Sequence, residues 1–303
     1  MQTPQVHSNG LHRYAILLAI CTLLLVVAGA SVTSKGAGLS VPDWPLSYGQ
    51  VMPQMTDGVL FEHGHRLLGT TVGMLTIGLL IWILRTETRS WMRKLAWVAL
   101  GWVIVVGLLG GLTVKLLTPP PVSMTHTCLA QLFFSLTVAM AVFTSKSFRQ
   151  GPMPVEDHGW PSLRSIAIAV PIFVLAQIAL GAGFRHGAIG VLPHIVGAMI
   201  VTLVILIAST FVLQQFPNHQ ALHRSATVLL TLTFVQIFLG ILAFFTRLDA
   251  AAHPLAMVLS TVAHVAVGAS TLAASIVLAI QIRYNVRQPQ RVEATHPSNA
   301  VAS

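Results

Sequence analysis

The sequence predicts an all-α polytopic membrane protein, with eight transmembrane helices arranged as two pseudo-symmetric four-helix bundles. Hydrophobic residues make up 54% of the 303 residues and charged residues only 8%, whereas soluble domains carry about 25% charged residues. This composition excludes a soluble globular protein, a disordered protein and a nucleic-acid-binding protein. Eight apolar stretches are long enough to cross a bilayer as helices, which takes roughly 20 residues. They are 12–33, 64–85, 94–116, 121–144, 163–185, 190–214, 224–247 and 255–282.

The lysine and arginine residues predict the orientation of these helices. With the N-terminus in the cytoplasm, twelve of the 17 cations fall in inner segments. The five on the outer side are Lys35, Arg66, Lys115, Arg185 and Arg247. Cytoplasmic loops of membrane proteins carry the excess of cations, so both termini are expected in the cytoplasm. The net charge of +9 therefore indicates topology and not a nucleic-acid partner.

The two halves of the chain resemble each other weakly. Gly29 near the end of the first apolar stretch corresponds to Gly181 near the end of the fifth. The segments Gly107-Leu108-Leu109-Gly110 of the third stretch and Leu239-Gly240-Ile241-Leu242 of the seventh likewise fall at matching places. We expect an N-terminal bundle over 1–150 and a C-terminal bundle over 151–303, related as parallel repeats. The stretch 150–162 is the expected linker, and a polar, disordered tail is expected from about residue 284.

The first outer segment, 34–62, distinguishes the N-terminal bundle from the C-terminal one. It is long and contains Pro42-Asp43-Trp44-Pro45-Leu46, whereas its counterpart, 186–190, has only a few residues. Long loops in compact proteins are usually functional. We therefore expect this segment to belong to a site in the N-terminal bundle.

Four histidines are predicted to lie at one depth, near the outer face. They are His65, His126, His194 and His264, each on an even-numbered apolar stretch and two in each half. After His65, His126 and His264 the next inner-side cation follows 19 or 20 residues later, and after His194 the pair Gln214 and Gln215 follows 20 and 21 residues later. Twenty residues of helix span about 30 Å, a full hydrocarbon thickness. Polar residues at such positions are costly and usually functional.

Paired imidazoles on separate helices favour haem iron as the ligand. Haem iron takes axial imidazoles, and helix bundles build such sites from facing helices. Zinc would need three or four converging ligands, often including cysteine or carboxylates. The sequence contains no Cys-x-x-Cys-His attachment motif, so any haem would be non-covalent. The alternative is four unrelated interfacial histidines that bind loops.

Glu62 marks the N-terminal site as the reactive one, because the run 188–193 directly before His194 is apolar and holds no acidic residue. Glu62 and His65 are three residues apart and share a helix face. The alternative for Glu62 is a partner for the helix dipole. His63 falls on another face and remains the rival ligand to His65. Of the outer cations, Arg66, Lys115, Arg185 and Arg247 are candidates to pair with haem propionates, or are ordinary interfacial side chains.

These features together resemble the heme A synthase family. The resemblance is carried by Gly29-Ala30-Ser31-Val32-Thr33, Gly38-Leu39, Pro42-Asp43-Trp44-Pro45-Leu46, Gly49 and Glu62-His63-Gly64-His65-Arg66, and by the contexts of His126, His194 and His264. It implies an oxidoreductase that acts on a CH or CH2 group, in the bacterial inner membrane. The family oxidises the C8 methyl group of heme O to the formyl group of heme A, with oxygen from water, for cytochrome c oxidase.

The resemblance also implies roles for individual residues. His65 and His126 would ligate heme O, the substrate, while His194 and His264 would ligate the cofactor haem b. Glu62 would be catalytic, stabilising positive charge or taking a proton near the reacting methyl group. A heme O synthase and oxidase assembly factors are implied as partners, whereas the electron acceptor is left unidentified.

The sequence departs from the family in its cysteines. Some members carry a cysteine pair in the first outer loop and another in the third, but 34–62 and 186–190 contain none here. Cys21 and Cys128 lie in apolar stretches and are expected to pack as small hydrophobes. Two other functions stay open at this point: a two-haem b-type electron-transfer cytochrome, and a haem transporter or delivery protein.

Overall fold

A computed structural model describes residues 9–157 and 162–287, and almost all of this part is helical. Eight of its helices are long and apolar enough to span a membrane. They are α1 (Asn9–Ser34), α2 (Asp57–Thr86), α3 (Ser90–Lys115), α4 (Pro120–Thr144), α6 (Leu163–Arg185), α7 (Leu192–Gln215), α8 (Gln220–Leu248) and α9 (Pro254–Asn285); α5 (Lys146–Arg149) is a single turn. The predicted all-α polytopic membrane fold is confirmed.

The helix bounds differ from the prediction mainly at α2 and α9. Helix α2 begins at Asp57, seven residues before the predicted start, so it includes the polar residues around Glu62. Helix α9 continues to Asn285, beyond the expected start of the tail. Two short strands follow the helices: β1 (Val155–Glu156) in the linker pairs in parallel with β2 (Val286–Arg287). The remainder of the expected tail and residues 158–161 of the linker lie outside the described residues.

Each group of four long helices forms a ring. In the first ring α1 packs on α2, α2 on α3, α3 on α4 and α4 on α1. In the second ring α6, α7, α8 and α9 repeat the same order. Consecutive helices are thus neighbours, while α2 and α4, like α7 and α9, lie on opposite corners. Between the rings, α9 packs on α1 and α4, and α6 packs on α4.

The apolar core of each ring fills the end at which α1 begins, called the inner end here. Its largest fully buried side chains in the first ring include Leu18, Leu79, Ile83, Met92 and Met140. Those of the second ring include Leu163, Ile205, Leu222, Leu272 and Leu278. Close packing rather than hydrophobic transfer holds helices together in lipid. The opposite, outer end of each ring is where the predicted histidines lie.

Contacts between the two rings lie at the middle, at the inner end and at the outer end, where Arg185 of α6 bonds α1. Phe134 of α4 packs against Ala269 and Ala273 of α9, and the small alanines let the two helices approach closely. At the inner end Tyr284 stacks on Phe148 with ring centroids 4.1 Å apart. The Tyr284 hydroxyl also donates a hydrogen bond to the Phe148 carbonyl oxygen, at 2.7 Å.

Candidate haem sites

The four predicted histidines form one pair in each ring, and each pair comes from diagonally opposed helices. His65 of α2 and His126 of α4 lie close enough for their charges to interact. His194 of α7 and His264 of α9 form the corresponding pair in the second ring. All four imidazoles lie in the outer halves of their helices. The structure therefore brings together the residues that the sequence selected by depth.

The geometry of the second pair fits one metal ion between two imidazoles. The ring centroids of His194 and His264 are 6.2 Å apart, and the ring planes are at 88° to each other. A metal bound at about 2 Å from one nitrogen of each ring places the centroids roughly 6 Å apart. The donor set, two neutral imidazoles inside an apolar bundle, is also the one that haem iron takes. The residues present thus fit a haem.

Each histidine lies against a glycine from the other diagonal of its ring. A Cβ added to Gly29 would lie 2.9 Å from Cε1 of His65, and one added to Gly110 would lie 3.2 Å from Cε1 of His126. In the second ring, a Cβ added to Gly181 would lie 2.8 Å from Cε1 of His194, and one added to Gly240 would lie 3.0 Å from Cε1 of His264. We call these four residues the contact glycines. They let each imidazole touch the neighbouring helix backbone, which any side chain would prevent.

The backbone carbonyl four residues before each contact glycine lies beside the same imidazole. Nδ1 of His126 is 3.1 Å from the carbonyl oxygen of Val106. The backbone of Leu25, Gln177 and Gln236 interacts in the corresponding way with His65, His194 and His264. A histidine that binds metal through one nitrogen carries a proton on the other, and this proton needs an acceptor. The Val106 carbonyl oxygen is such an acceptor for His126, whereas Nδ1 of His65 and Nδ1 of His264 have no hydrogen-bond partner within the described residues.

Glu62 is buried and connects α2 to the outer loop. Its Oε1 accepts a hydrogen bond from Nη2 of Arg66 at 2.6 Å, and its Oε2 accepts one from the backbone N–H of Val41 at 2.8 Å. Nη1 of Arg66 donates to the carbonyl oxygens of Asp43 and Leu46, at 2.7 and 2.8 Å. Burial keeps this ion pair from the solvent, since the side chains are only 5% and 14% exposed. Arg66 therefore binds the loop.

His63 also points toward the loop. Its Nδ1 is 2.8 Å from the hydroxyl oxygen of Ser47, and both side chains are buried. Its Nε2 has no hydrogen-bond partner within the described part of the chain. In this arrangement His65, and not His63, shares the ring interior with His126.

The loop brings Trp44 onto the first ring. Its indole lies so close to Gly111 that a Cβ on this glycine would be 2.5 Å from Cδ2 of the ring. Gly111 is the neighbour of Gly110, which contacts His126. Trp44 consequently covers α3 beside the first histidine pair, and the segment between α1 and α2 belongs to the N-terminal site.

Two guanidinium groups lie at the outer end of the second ring. Nη2 of Arg185 donates to the Ala30 carbonyl oxygen and to the Ser34 hydroxyl oxygen, at 2.5 and 2.8 Å. Arg247 lies over the ring of Phe184, at 4.7 Å from its centroid. The charge of Arg185 interacts with those of Arg247 and His264. Two like charges here favour an anionic group between them. Lys115 is exposed at the end of α3.

The comparison with known proteins identifies the family. The profile of COX15-CtaA, described as cytochrome oxidase assembly protein, matches residues 12–60 and 57–193, more than half of the chain. The chain belongs to this family.

Several curated relatives are heme A synthases. The one from Symbiobacterium thermophilum is 30% identical over 172 residues, which cover 54% of this chain and 55% of that protein. The one from Shouchella clausii is 28% identical over 246 residues, 76% of each chain. The one from Bacillus licheniformis is 24% identical over 270 residues, 80% of this chain and 88% of the relative. The chain thus matches about half the length of the first relative and most of the other two.

Other ligand types are scarce in this COX15-CtaA family member. In residues 9–157 and 162–287, no group of three or more His, Cys, Asp or Glu side chains converges on a possible metal position. Cys21 and Cys128 are both free and only partly buried. Cys21 packs against the core of the first ring, as expected of a small hydrophobe.

Two titratable groups of the outer segments have shifted pKa values. The pKa of Asp43 is lowered, first by the hydrogen bond from the Gly49 backbone and then by those of its other loop partners. Burial lowers the pKa of His186, and the charges of Arg185 and His126 act in the same direction. His186 follows α6 directly and therefore lies between the outer ends of the two rings.

The contact glycines and two glutamines lie against the histidine pairs, although the sequence did not indicate them as site residues. The glycines were noticed as repeat markers, but their contact with the histidines depends on how the helices pack. Gln177 and Gln236 stand four residues before Gly181 and Gly240. Both contact the imidazoles of the second pair. A signal existed, since a polar amide inside an apolar span is costly.

Proposed function

We propose that this chain is a heme A synthase, which oxidises the C8 methyl group of heme O to a formyl group with oxygen from water. The observation that carries the proposal is the asymmetry of the two sites. Two matching histidine pairs occupy the two rings, but within residues 9–157 and 162–287 a buried carboxylate and a long structured loop lie beside the first pair only. One reactive site and one electron-carrying site explain this difference.

In the proposal, His65 and His126 bind heme O in the N-terminal ring. Trp44 and the loop cover that site, which limits the access of water to the reacting position. Oxidation of a methyl group to a formyl group releases electrons and protons, so the site needs an outlet for both. Glu62 lies one turn from His65 on the same helix face, where its carboxylate accepts a proton or stabilises positive charge.

The C-terminal ring is proposed to hold haem b between His194 and His264. When bound, haem b supplies a reversible one-electron carrier. The chain's own contribution is to hold the two imidazoles against Gly181 and Gly240 and to fix their orientation. Arg185 and Arg247 place positive charge at the outer end, where it would neutralise propionate groups. Arg66 and Lys115 are the corresponding candidates in the first ring, although Arg66 already binds the loop.

The proposed setting is the bacterial inner membrane, with both termini in the cytoplasm. The excess of cations at the inner end supports this orientation. Heme O would come from a heme O synthase, and the product would pass to oxidase assembly factors. The name of the family, which refers to cytochrome oxidase assembly, supports this place in the cell.

The test is the identity of the haems that copurify with variants of the full chain expressed in cells that supply heme O. The wild-type protein should yield heme A. Glu62→Gln and Glu62→Ala should keep haem bound but yield heme O and no heme A. Glu87→Gln is the matched control, because Glu87 forms a similar 2.6 Å ion pair with Arg89 outside the site. It should convert heme O normally.

The same experiment separates the other functions. Extraction of b-type haem alone from the wild type would favour an electron-transfer cytochrome. A wild-type protein that binds heme O but never converts it to heme A would favour a delivery protein. Normal conversion by Glu62→Ala would overturn the catalytic role of this carboxylate. Arg66→Gln breaks the same ion pair and leaves Glu62 in place, so equal loss in both variants would assign Glu62 to the loop instead.

A further inference from the structure

The two glutamines beside the second histidine pair are unusual residues for a membrane span. Nε2 of Gln177 lies 3.0 Å from Nδ1 of His194, and Nε2 of Gln236 lies 3.3 Å from Nε2 of His264. The Oε1 atom of each glutamine is buried without a hydrogen-bond partner among the residues that the structure describes. A buried amide oxygen without a partner costs free energy. Each amide oxygen therefore lacks a hydrogen-bond donor, which the site could supply once its histidines bind a metal.

The repeat shows which residues take the same places in the first ring. Each glutamine stands four residues before a contact glycine, and so do Leu25 before Gly29 and Val106 before Gly110. The side chains of Leu25 and Val106 carry no polar atom, so at these positions of the first ring only the backbone can accept a hydrogen bond from a histidine. The second ring adds a side-chain amide to each histidine. The glutamines are thus a feature of the second site alone. They do not follow from the glycine–histidine packing, which both rings share.

Metal binding explains why the amides are useful. An imidazole that coordinates iron through one nitrogen has an N–H group on the other, and this group can only donate. Gln177 faces Nδ1 of His194 and Gln236 faces Nε2 of His264, so iron would bind Nε2 of His194 and Nδ1 of His264. Rotation of the glutamine terminus exchanges its oxygen and nitrogen, which brings Oε1 into the position that Nε2 holds here. The amide oxygen then accepts a hydrogen bond from the imidazole N–H group and is no longer without a partner. Such second-layer acceptors fix the ring orientation and make the ligand more basic.

We propose that Gln177 and Gln236 are positioning residues that orient the imidazoles of His194 and His264 and lower the reduction potential of the haem held there. A more basic ligand stabilises the oxidised iron more than the reduced iron, which lowers the potential. The N-terminal site, with Leu25 and Val106, lacks this effect. The inference rests on the proposed function, because it requires that the second pair binds haem.

The test is an optical redox titration of the purified, haem-loaded full chain. Gln177→Leu and Gln236→Val copy the residues of the first ring, and a His65→Ala background leaves only the second site to titrate. Both variants should raise the midpoint potential, and Gln236→Glu should lower it. Gln131→Leu is the matched control, because Gln131 is also buried in a span with an unpartnered Oε1 in the described chain. It should leave the potential unchanged.

The outcomes separate this inference from the function it rests on. If haem is bound and neither glutamine variant moves the potential, the positioning role is wrong. If all substitutions, including Gln236→Glu, shift the midpoint potential in the same direction, the potential is controlled by packing and not by hydrogen bonding. Should the glutamine variants fail to fold, Val106→Gln must lower the potential of the first site. A wild-type protein whose haem content does not depend on His194 and His264 would instead refute the proposed function.

Discussion

Gly181 lies directly against His194, so close that a Cβ on the glycine would stand 2.8 Å from Cε1 of the imidazole. The same relationship joins the other three contact glycines to their histidines, at 2.9 to 3.2 Å. Real Cβ atoms essentially never come within 3.0 Å of another atom, as they would at Gly29 and Gly181, and at 3.0 to 3.2 Å the neighbouring ring would have to shift slightly. The ring of a histidine held between two helices has little freedom to move away. The contact glycines are therefore the positions where a single methyl group should disturb a ligand.

We expect Gly181→Ala to reduce haem occupancy at the second site. Alanine normally stabilises a helix by about 1 kcal/mol over glycine, but overpacking a filled site costs roughly 1–3 kcal/mol. The net effect should be a displaced His194 and a protein that loses most of the haem bound at this pair. The measurement is the haem-to-protein ratio of the purified variant, with haem b and heme O or A quantified separately.

Gly107→Ala is the matched control for this prediction. Gly107 lies on α3 one turn before Gly110, and its added Cβ would meet no described atom within 4 Å. This variant should keep full haem content and should be as stable as the wild type or more so. Equal haem content in Gly181→Ala and Gly107→Ala would show that the close contact does not constrain the ligand.

The sequence was enough to predict the helices and the depth of the histidines, because both depend on local spacing. A span needs a fixed number of apolar residues, and the distance from His65 to Arg85 follows from helix rise alone. The start of α2 was placed too late, since Glu62 and His63 interrupt the apolar pattern although they lie inside the helix. Their cost is offset by partners in the loop, which a hydropathy pattern does not contain.

The contacts between helices needed the structure. Gly29 and His65 belong to different helices, and nothing in their spacing tells that Cε1 of one ring faces the other helix backbone. The same holds for Arg66, which the sequence offered as a propionate partner and which the structure places against the carbonyl oxygens of Asp43 and Leu46. Long-range pairing of this kind follows from which helices become neighbours, and the sequence of one chain leaves that undetermined.

We expect Arg66→Lys to loosen the outer loop. One guanidinium group now bonds two loop carbonyls and the carboxylate of Glu62, a geometry that the single ammonium of lysine does not reproduce. Limited proteolysis at residues 35–56, in the detergent-solubilised protein, should be about ten-fold faster than in the wild type. This factor corresponds to about 1.4 kcal/mol.

Arg89→Lys controls for the general effect of such a change, because Arg89 also pairs with a carboxylate, that of Glu87, away from the loop. Cleavage of residues 35–56 in this variant should match the wild type. A loop that is cut at the same rate in Arg66→Lys and in the wild type would mean that other contacts hold it.

Protonation of Asp43 should release the turn that follows Trp44. Oδ1 of Asp43 accepts a hydrogen bond from the Tyr48 backbone N–H and Oδ2 accepts one from that of Gly49, both at 2.7 Å. Gly49 has φ +69° and Tyr48 has φ +53°, so both residues of the turn adopt the left-handed region. Because a protonated carboxyl group has one hydroxyl oxygen that donates, the side chain accepts well from both N–H groups only while it is ionised.

The sign of the pH effect follows from the lowered pKa of Asp43. A group whose pKa is lower in the folded state stabilises that state above its ordinary value of 3.8, and this contribution is lost as the pH falls through the folded pKa. Hydrogen exchange at residues 43–49, corrected for the intrinsic rates, should therefore show constant protection above pH 5 and a loss below 3.8. Asp43→Asn supplies an oxygen for one N–H group but not for both, and should show weaker protection without this acid transition. An acid transition of equal size in Asp43→Asn would assign it to another group.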